Sequence, residues 1–227
     1  MIQIGGFQKV TLLDYPDQVA CIIFTVGCNY RCPFCQNSEL VLHNEGIYDE
    51  KEILDYLEQR KNVLDGVVIS GGEPTVQKDL KEFIKKIKKI GLLVKLDTNG
   101  TNPDLLADLI KNKLIDYVAM DIKTDLDKYK EITIINPQVD KIKKSIKLLQ
   151  ESKIDHEFRT TIMKNYHSLM DLVKICQLVD GDKYYLQNFK DSEYVLGSDL
   201  KPFSVHELEF IQEELQRQFT NVSVRDL

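Results

Sequence analysis

Short apolar runs alternate along the chain with longer amphipathic segments. Six runs of five to eight residues are rich in β-branched and aromatic residues, which is typical of buried strands. They occupy residues 19–25, 66–70, 92–97, 114–121, 156–163 and 183–187. Residues 222–226 would add a terminal strand. Between the runs, apolar residues recur three and four positions apart, as on the buried face of a helix.

Capping residues stand at the start of several amphipathic segments. An aspartate, asparagine or serine comes first, and a glutamate three positions later or a proline at the next position completes the signal. These signals are Asp49 with Glu52, Asn102 with Pro103, Asn136 with Pro137, and Ser204 with Glu207. The lysine-rich segment 81–89 is also amphipathic, so we interpret its lysines as a solvated helix face and not as a patch for an acidic partner.

The alternation of strands and helices defines the fold class. A strand followed by a helix about six times over predicts parallel strands joined by right-handed crossovers. Six βα units are too few for the usual closed barrel of eight, so an open barrel or a doubly wound sheet remains. Because no linker or change of composition divides the 227 residues, we expect one domain over residues 1–227.

Composition narrows the function classes. The formal net charge of −6 argues against sequence-independent binding of nucleic acid, which needs a basic surface. The first ten residues lack a signal-peptide pattern, and the longest apolar stretch, residues 19–26, is too short to span a bilayer, so we expect a cytoplasmic protein. Three of the five cysteines fall within eight positions, which indicates a metal site in a reducing compartment.

The three clustered cysteines follow the first predicted strand in a C-x3-C-x2-C arrangement, as Cys28, Cys32 and Cys35. Three thiolates in one loop can surround a single inorganic centre. If that centre is a [4Fe-4S] cluster, three ligands leave one iron open to coordinate a substrate, whereas ordinary electron-carrying clusters use four cysteines.

Two other interpretations of the triplet stay open at this point. A structural zinc site could use His43 as a fourth ligand, although zinc sites usually pair their cysteines two and two. A thioredoxin-like pair of Cys32 and Cys35 would leave Cys28 without a role. The other cysteines, Cys21 and Cys176, lie in an apolar strand and a helix, and we interpret them as buried core residues.

The cysteine motif, with Phe34 before its last cysteine, resembles the signature of the radical S-adenosylmethionine superfamily. The run FTVGCNYRCPFCQN, with SGGEPT, LDTNG and MDIK further on, is similar to the activating enzymes of glycyl radical enzymes. Within that group the resemblance is strongest to the activating proteins of anaerobic ribonucleoside-triphosphate reductases. It covers nearly the whole chain, most strongly residues 12–123.

The resemblance implies a reaction and its cofactors. A [4Fe-4S] cluster on the three cysteines would take one electron from flavodoxin or ferredoxin and cleave S-adenosylmethionine to a 5′-deoxyadenosyl radical. That radical would remove a hydrogen atom from a glycine of the partner enzyme. Two alternatives remain: radical chemistry on a small molecule or another peptide, and a zinc-stabilised interaction protein without catalysis.

The resemblance also implies roles for single residues. Gly71, Gly72, Glu73 and Pro74 match the motif that holds the amino group of S-adenosylmethionine, although on their own they could form a tight turn. Phe34 is expected beside the same cofactor. Two carboxylates that converge on one rim must bind a cation or share a proton. The resemblance implies that Asp97, Thr98 and Asp121 hold a small cation, for which a monovalent ion is a candidate.

Four further residues complete the expected site. Lys123 matches the lysine of the motif that contains Asp121, but could be an ordinary surface lysine. Arg159 on a strand needs an anion, either the cofactor or a carboxylate such as Glu157. Gln187 would meet the adenosine or lie in a surface turn. Asp14 is expected to face the substrate, in a segment where Asp17 replaces the family's glycine and would be tolerated at positive φ.

The expected site residues share a place in the fold. The cysteine loop, the GGEP motif, Asp97, Asp121 and Gln187 all follow the carboxyl ends of successive predicted strands. Parallel β/α barrels build their active sites at this rim. We therefore expect a partial, open parallel β/α barrel of about six βα units.

Overall fold

The computed structural model describes residues 1–42, 45–135 and 137–225. In this part of the chain, eight strands form one sheet whose order follows the sequence. The strands are β1 (Ile4–Thr11), β2 (Ala20–Thr25), β3 (Gly66–Gly71), β4 (Leu93–Thr98), β5 (Tyr117–Asp121), β6 (Asp155–Ile162), β7 (Tyr184–Asn188) and β8 (Val222–Arg225).

Helices connect the strands. They are α1 (Ser38–Leu42), α2 (Glu50–Arg60), α3 (Leu80–Ile90), α4 (Pro103–Lys111), α5 (Tyr129–Thr133), α6 (Val139–Glu151), α7 (Leu169–Leu178) and α8 (Val205–Gln216). Short 3-10 turns cover Pro74–Val76 and Leu126–Lys128. Among the described residues, no helix has the length and apolar character needed to cross a membrane.

The order and direction of the strands distinguish between the two expected architectures. Strands β2 to β8 are parallel, each paired with the next, and β1 is antiparallel to β2. A doubly wound sheet reverses its strand order at a switch point, and this sheet does not. Since β1 and β8 are the two edges of the described sheet, the fold is an open β/α barrel with six helical crossovers. The expected class is confirmed.

The two faces of the sheet have different surroundings. Cys21 and Val67 are partners in register and belong to the large apolar core that includes the helices. The next pair, Ile22 and Val68, lies on the opposite face in a small cluster with Tyr15. This cluster fills the barrel interior near the amino ends of the strands, so open space is left at the carboxyl ends.

The capping signals have mixed outcomes. Ser204 and Glu207 form a reciprocal capping box, and the side chain of Asn102 accepts a hydrogen bond from the Leu105 amide. Asp49 caps α2 by accepting from two backbone amides. Asn136 and the last residue of the predicted strand 222–226 lie outside the described residues. Strand β1 was not predicted from the sequence.

Candidate active site

A cavity of about 350 Å³ opens at the carboxyl ends of the parallel strands. Every residue expected in the site lines it. These residues are Asp14, Cys28, Cys32, Phe34, Cys35, Gly71, Gly72, Glu73, Pro74, Asp97, Thr98, Asp121, Lys123, Arg159 and Gln187. Tyr30, Gln36, Asn37, Ser70, Asn99 and Thr161 line it too, and were not expected. Placement at this rim agrees with the sequence-based prediction, whereas the role of each side chain stays a prediction.

The cysteine loop follows β2 and is held by its own backbone. The Cys35 amide donates to the Cys32 carbonyl at 3.0 Å, and the Tyr30 amide donates to Cys28 Sγ at 3.4 Å. Arg31 donates to the Cys28 carbonyl at 2.7 Å. These bonds fold the loop back on itself, so that the three sulfur atoms face one cavity.

Two thiols of this loop are protonated when no metal centre is bound. Burial raises the pKa of Cys28 to about 12 and that of Cys32 to about 11. Burial raises the pKa of the core cysteine Cys21 in the same way, so the pKa does not distinguish a metal ligand. The fit to an iron–sulfur cluster rests on three cysteines of one loop that line one cavity.

The described residues contain no zinc site. A zinc ion binds sulfur at about 2.3 Å and nitrogen at about 2.0 Å, which requires closely spaced ligands. Within residues 1–42, 45–135 and 137–225, no group of three or more His, Cys, Asp or Glu side chains has spacing suitable for one metal ion. His43, the suggested fourth ligand, lies outside these ranges. Cys21 and Cys176 are buried in the core, as expected.

The end of β3 lies directly against the cysteine loop. The Glu73 amide donates to the Gly27 carbonyl at 2.9 Å. A Cβ atom on Gly72 would stand 2.0 Å from that same carbonyl oxygen, so no larger residue fits without moving one of the two loops. The second glycine of the GGEP motif thus permits the contact between the motif and the cysteine loop.

Glu73 is almost fully buried, and protein groups surround its carboxylate. It accepts hydrogen bonds from the Thr75 amide (3.1 Å), Thr98 Oγ1 (2.8 Å) and the Asn99 amide (2.6 Å). Burial raises its pKa, and these donors offset part of the rise. Glu73 therefore ties the turn after β3 to the end of β4; its expected contact with the cofactor's amino group stays a prediction.

Three polar side chains form a closed ring between the cysteine loop and the turn after β4. Asn99 Nδ2 donates to Asn29 Oδ1 at 2.9 Å, and Asn29 Nδ2 donates to Thr101 Oγ1 at 2.8 Å. Thr101 Oγ1 donates to Asn99 Oδ1 at 2.7 Å, which closes the ring. Sequence reasoning missed these contacts, because nothing in the sequence pairs residue 29 with residue 99.

The two rim carboxylates are embedded among three side-chain cations. Arg159 Nε lies 2.9 Å from Asp121 Oδ1, and its guanidinium reaches Asp97 Oδ2 at 3.3 Å. Lys123 Nζ lies 3.0 Å from Asp121, and Lys95 Nζ lies 2.7 Å from Asp97. Burial would raise the pKa of both carboxyls, but the cations outweigh it: the pKa of Asp97 is lowered, and that of Asp121 falls to about 2.

The structure bears on two expectations from the sequence. The cation expected at Asp97 and Asp121 stays a prediction; among the described residues, the side chains of Lys95, Lys123 and Arg159 contact the two carboxylates. Glu157 was a candidate partner of Arg159, yet Arg159 pairs with the rim carboxylates. Glu157 instead accepts from the Tyr117 hydroxyl at 3.0 Å and from Arg225 at 2.7 Å, deeper in the barrel.

The segment near Asp14 contains a residue with positive φ. Asp14 lines the cavity and accepts a hydrogen bond from the Thr11 hydroxyl. Asp17 adopts a φ of 59°, a left-handed conformation that aspartate tolerates better than most residues. The replacement of glycine by aspartate is thus compatible with the turn.

The fold and the site together define a class of enzyme: an open β/α barrel with a three-cysteine loop and an ion-paired rim around one cavity. Comparison with known families agrees, since the model of the radical SAM superfamily matches residues 22–178. The chain belongs to the radical SAM superfamily. Its cofactors are those of the family, a [4Fe-4S] cluster and S-adenosylmethionine.

Known relatives differ in how much of the chain they match. A protein of Methanocaldococcus jannaschii named as a glycyl-radical enzyme activating enzyme is 39% identical over 199 residues, which are 84% of this chain and 81% of that protein. A protein of Pyrococcus horikoshii named as a GTP 3′,8-cyclase is 32% identical over 145 residues, 59% of this chain but only 44% of that protein.

A solved structure supports the fold alone. Streptococcus suis SuiB bound to precursor peptide SuiA superimposes with a TM-score of 0.73 over 90% of this chain, at 19% identity. This chain spans 48% of that one. The likeness therefore concerns the barrel and says nothing of the substrate.

Proposed function

We propose that this radical SAM enzyme is an activase that generates a glycyl radical on a partner enzyme, and that the partner is an anaerobic ribonucleoside-triphosphate reductase. Flavodoxin or ferredoxin would supply the electron. The observation that carries the proposal is the 39% identity to a relative named as a glycyl-radical enzyme activating enzyme, which extends over most of both chains.

The cavity of about 350 Å³ is open at the rim of the barrel. A glycine on an extended loop of a partner enzyme could reach in through this opening.

Different residues of the cavity would bind the cluster and S-adenosylmethionine. The thiolates of Cys28, Cys32 and Cys35 would hold the cluster. When bound, the cluster would supply the electron for reductive cleavage of the C5′–S bond of S-adenosylmethionine to methionine and a 5′-deoxyadenosyl radical, and that radical would take a hydrogen atom from the partner's glycine. The GGEP turn would receive the cofactor's amino group.

Charge and shape at the rim would orient the rest of the cofactor. Lys123 and Arg159 carry positive charge at the cavity wall, where the methionine carboxylate would be neutralised. Phe34 and Gln187 would contact the adenosine. Barrel walls around the reacting atoms would exclude water and stray hydrogen donors.

A small-molecule substrate is the second candidate, supported by the likeness to a GTP 3′,8-cyclase. This chain covers less than half of that protein. The relative named as an activating enzyme matches 84% of this chain and 81% of its own length, so we favour the activase.

The test is transfer of a labelled hydrogen. Anaerobically reconstituted protein is mixed with S-adenosylmethionine, dithionite and an anaerobic ribonucleotide reductase. The reductase is produced in cells that are supplied with deuterated glycine. We expect a glycyl radical signal by electron paramagnetic resonance, and deuterium in the 5′-deoxyadenosine.

The control is a reductase whose radical-bearing glycine is replaced by alanine, which should give neither signal. If protein with a full cluster yields no radical on the intact reductase, the activase proposal is contradicted. Formation of 5′-deoxyadenosine that depends on GTP alone would favour the second candidate.

A further inference from the structure

Both carboxylate oxygen atoms of Asp97 accept hydrogen bonds from protein side chains. Lys95 Nζ lies 2.7 Å from Oδ1. Ser70 Oγ donates to Oδ2 at 3.1 Å, and the guanidinium of Arg159 reaches the same atom at 3.3 Å. Two formal positive charges therefore contact one carboxylate within a cavity wall.

The neighbouring carboxylate, Asp121, is occupied in the same way. Arg159 Nε meets Oδ1 at 2.9 Å, and Lys123 Nζ meets Oδ2 at 3.0 Å. Across the pair, all four carboxylate oxygens face a donor. Three fixed cations stand against two carboxylates, so the group carries a surplus of one positive charge.

Lys95 is the least accessible member of this group. It is 1% exposed and lies on β4 two residues before Asp97, below the rim and inside the barrel. Its ammonium lies 5.9 Å from the centre of the Tyr117 ring and forms an ion pair with Asp97. A buried lysine charge needs such a partner, and breaking the pair would leave an uncompensated charge.

A free monovalent cation does not fit this arrangement. Hard cations bind oxygen atoms that have negative charge to spare. Here each of the four oxygen atoms already accepts from at least one protein donor, and a free ion would add to the positive surplus. The expectation of a small cation at these carboxylates therefore disagrees with the donor set.

We propose that Lys95 is a positioning residue that takes the place of a free cation: its ammonium neutralises Asp97 and leaves Arg159 and Lys123 available to the carboxylate of S-adenosylmethionine. The consequence is that cofactor binding does not depend on potassium or sodium. This inference needs the cofactor to bind in the cavity and needs no partner enzyme, so it can fail or stand independently of the activase proposal.

The native chain supplies the first test. The dissociation constant of S-adenosylmethionine is measured by equilibrium dialysis on cluster-loaded protein at constant ionic strength. One buffer contains only tetramethylammonium, which is too large for carboxylates to chelate, and two others contain potassium or sodium. We expect the constants to agree within about twofold.

Variants of Lys95 supply the second test. In Lys95→Met, Asp97 would compete for Arg159, so affinity in tetramethylammonium should fall about tenfold and recover when potassium is added. Lys95→Arg keeps the charge and should stay independent of potassium. Lys88→Met is the matched control, because it breaks a 2.7 Å ion pair with Asp116 outside the cavity.

Three results would overturn the inference. The first is native protein that binds the cofactor at least tenfold more tightly in potassium or sodium than in tetramethylammonium. The second is a folded Lys95→Met protein whose affinity and cation response match those of Lys88→Met. The third is native protein that binds no cofactor in any buffer. The native measurement decides the question even if Lys95→Met does not fold.

Discussion

Asp121 shows how burial and charge compete at a single residue. Burial raises a carboxyl pKa, but Arg159 and Lys123 hold that of Asp121 at about 2, below its ordinary value of 3.8. A folded-state pKa below the unfolded one stabilises the fold above the unfolded pKa. That contribution should be complete above about pH 4 and should disappear as pH falls toward about 2.

The residue-scale prediction is a change in acid sensitivity. Asp121→Asn removes the titrating group, so its free energy of unfolding should fall less steeply below pH 4 than that of the native chain. The free energies of unfolding of the two proteins differ by an amount that should change by about 2 kcal/mol between pH 5 and pH 2. Urea unfolding of cluster-free protein across this range measures it. If the free energies of unfolding of the two proteins fall in parallel with pH, Asp121 does not contribute to the acid sensitivity of the fold.

The sequence predicts part of this site at the residue scale. Side chains two apart on a strand share a face, which places the members of each acid–base pair together. The pairs are Lys95 with Asp97, Asp121 with Lys123, and Glu157 with Arg159. The contact between Lys95 and Asp97 therefore follows from spacing within β4. The partners of Arg159 lie on other strands, so they depend on the register between strands, which spacing within one strand does not show.

At the scale of elements, side-chain hydrogen bonds join three loops that are distant in sequence. Hydrogen bonds of Glu73 link the turn after β3 to the end of β4. The ring of Asn29, Asn99 and Thr101 links the end of β4 to the cysteine loop. Asn99 takes part in both contacts, through its backbone amide and its side chain. It therefore fixes the cysteine loop relative to the rest of the rim.

Replacing Asn99 tests this connection. Asn99→Ala leaves Asn29 Oδ1 and the Thr101 amide without their partner, and unsatisfied buried groups cost about 1 to 3 kcal/mol. We expect the free energy of unfolding to drop by about 2 kcal/mol. The cluster should also be lost faster to an iron chelator, which is followed by its visible absorbance.

The matched control is Asn112→Ala. Asn112 also uses its side-chain amide in hydrogen bonds, but at the exposed end of α4. The free energy of unfolding of this variant should stay within about 0.5 kcal/mol of the native value. The chelator should remove its cluster at the native rate. Equal cluster loss from the two variants would contradict a specific role for Asn99.

Elements with a strong periodic signal were predicted, and those without one were not. All seven parallel strands coincide with apolar runs found in the sequence. Strand β1 begins with IGGFQK, and its middle residues are partly or fully exposed. An edge strand buries too little apolar surface to leave a pattern, and its pairing with β2 is a tertiary contact.

At the scale of the whole molecule, the sequential strand order explains why the site residues meet. Each parallel strand ends at the same rim, so residues at or just after the carboxyl ends of β2, β3, β4, β5 and β7 line one cavity. This convergence follows from repeated strand–helix units and could be predicted. One domain over residues 1–227 stays a prediction, supported by a sheet that continues through β8, beyond the family match at residue 178.

The most direct test of the account is reductive cleavage of S-adenosylmethionine by the chain alone. Dithionite-reduced, anaerobically reconstituted protein should produce 5′-deoxyadenosine and methionine, quantified by liquid chromatography. Cys32→Ala should lose both cluster and product, whereas Cys176→Ala, which alters a buried cysteine in α7, should keep both. Cluster-loaded native protein that forms no 5′-deoxyadenosine, or a Cys32→Ala variant that still forms it, would contradict the account.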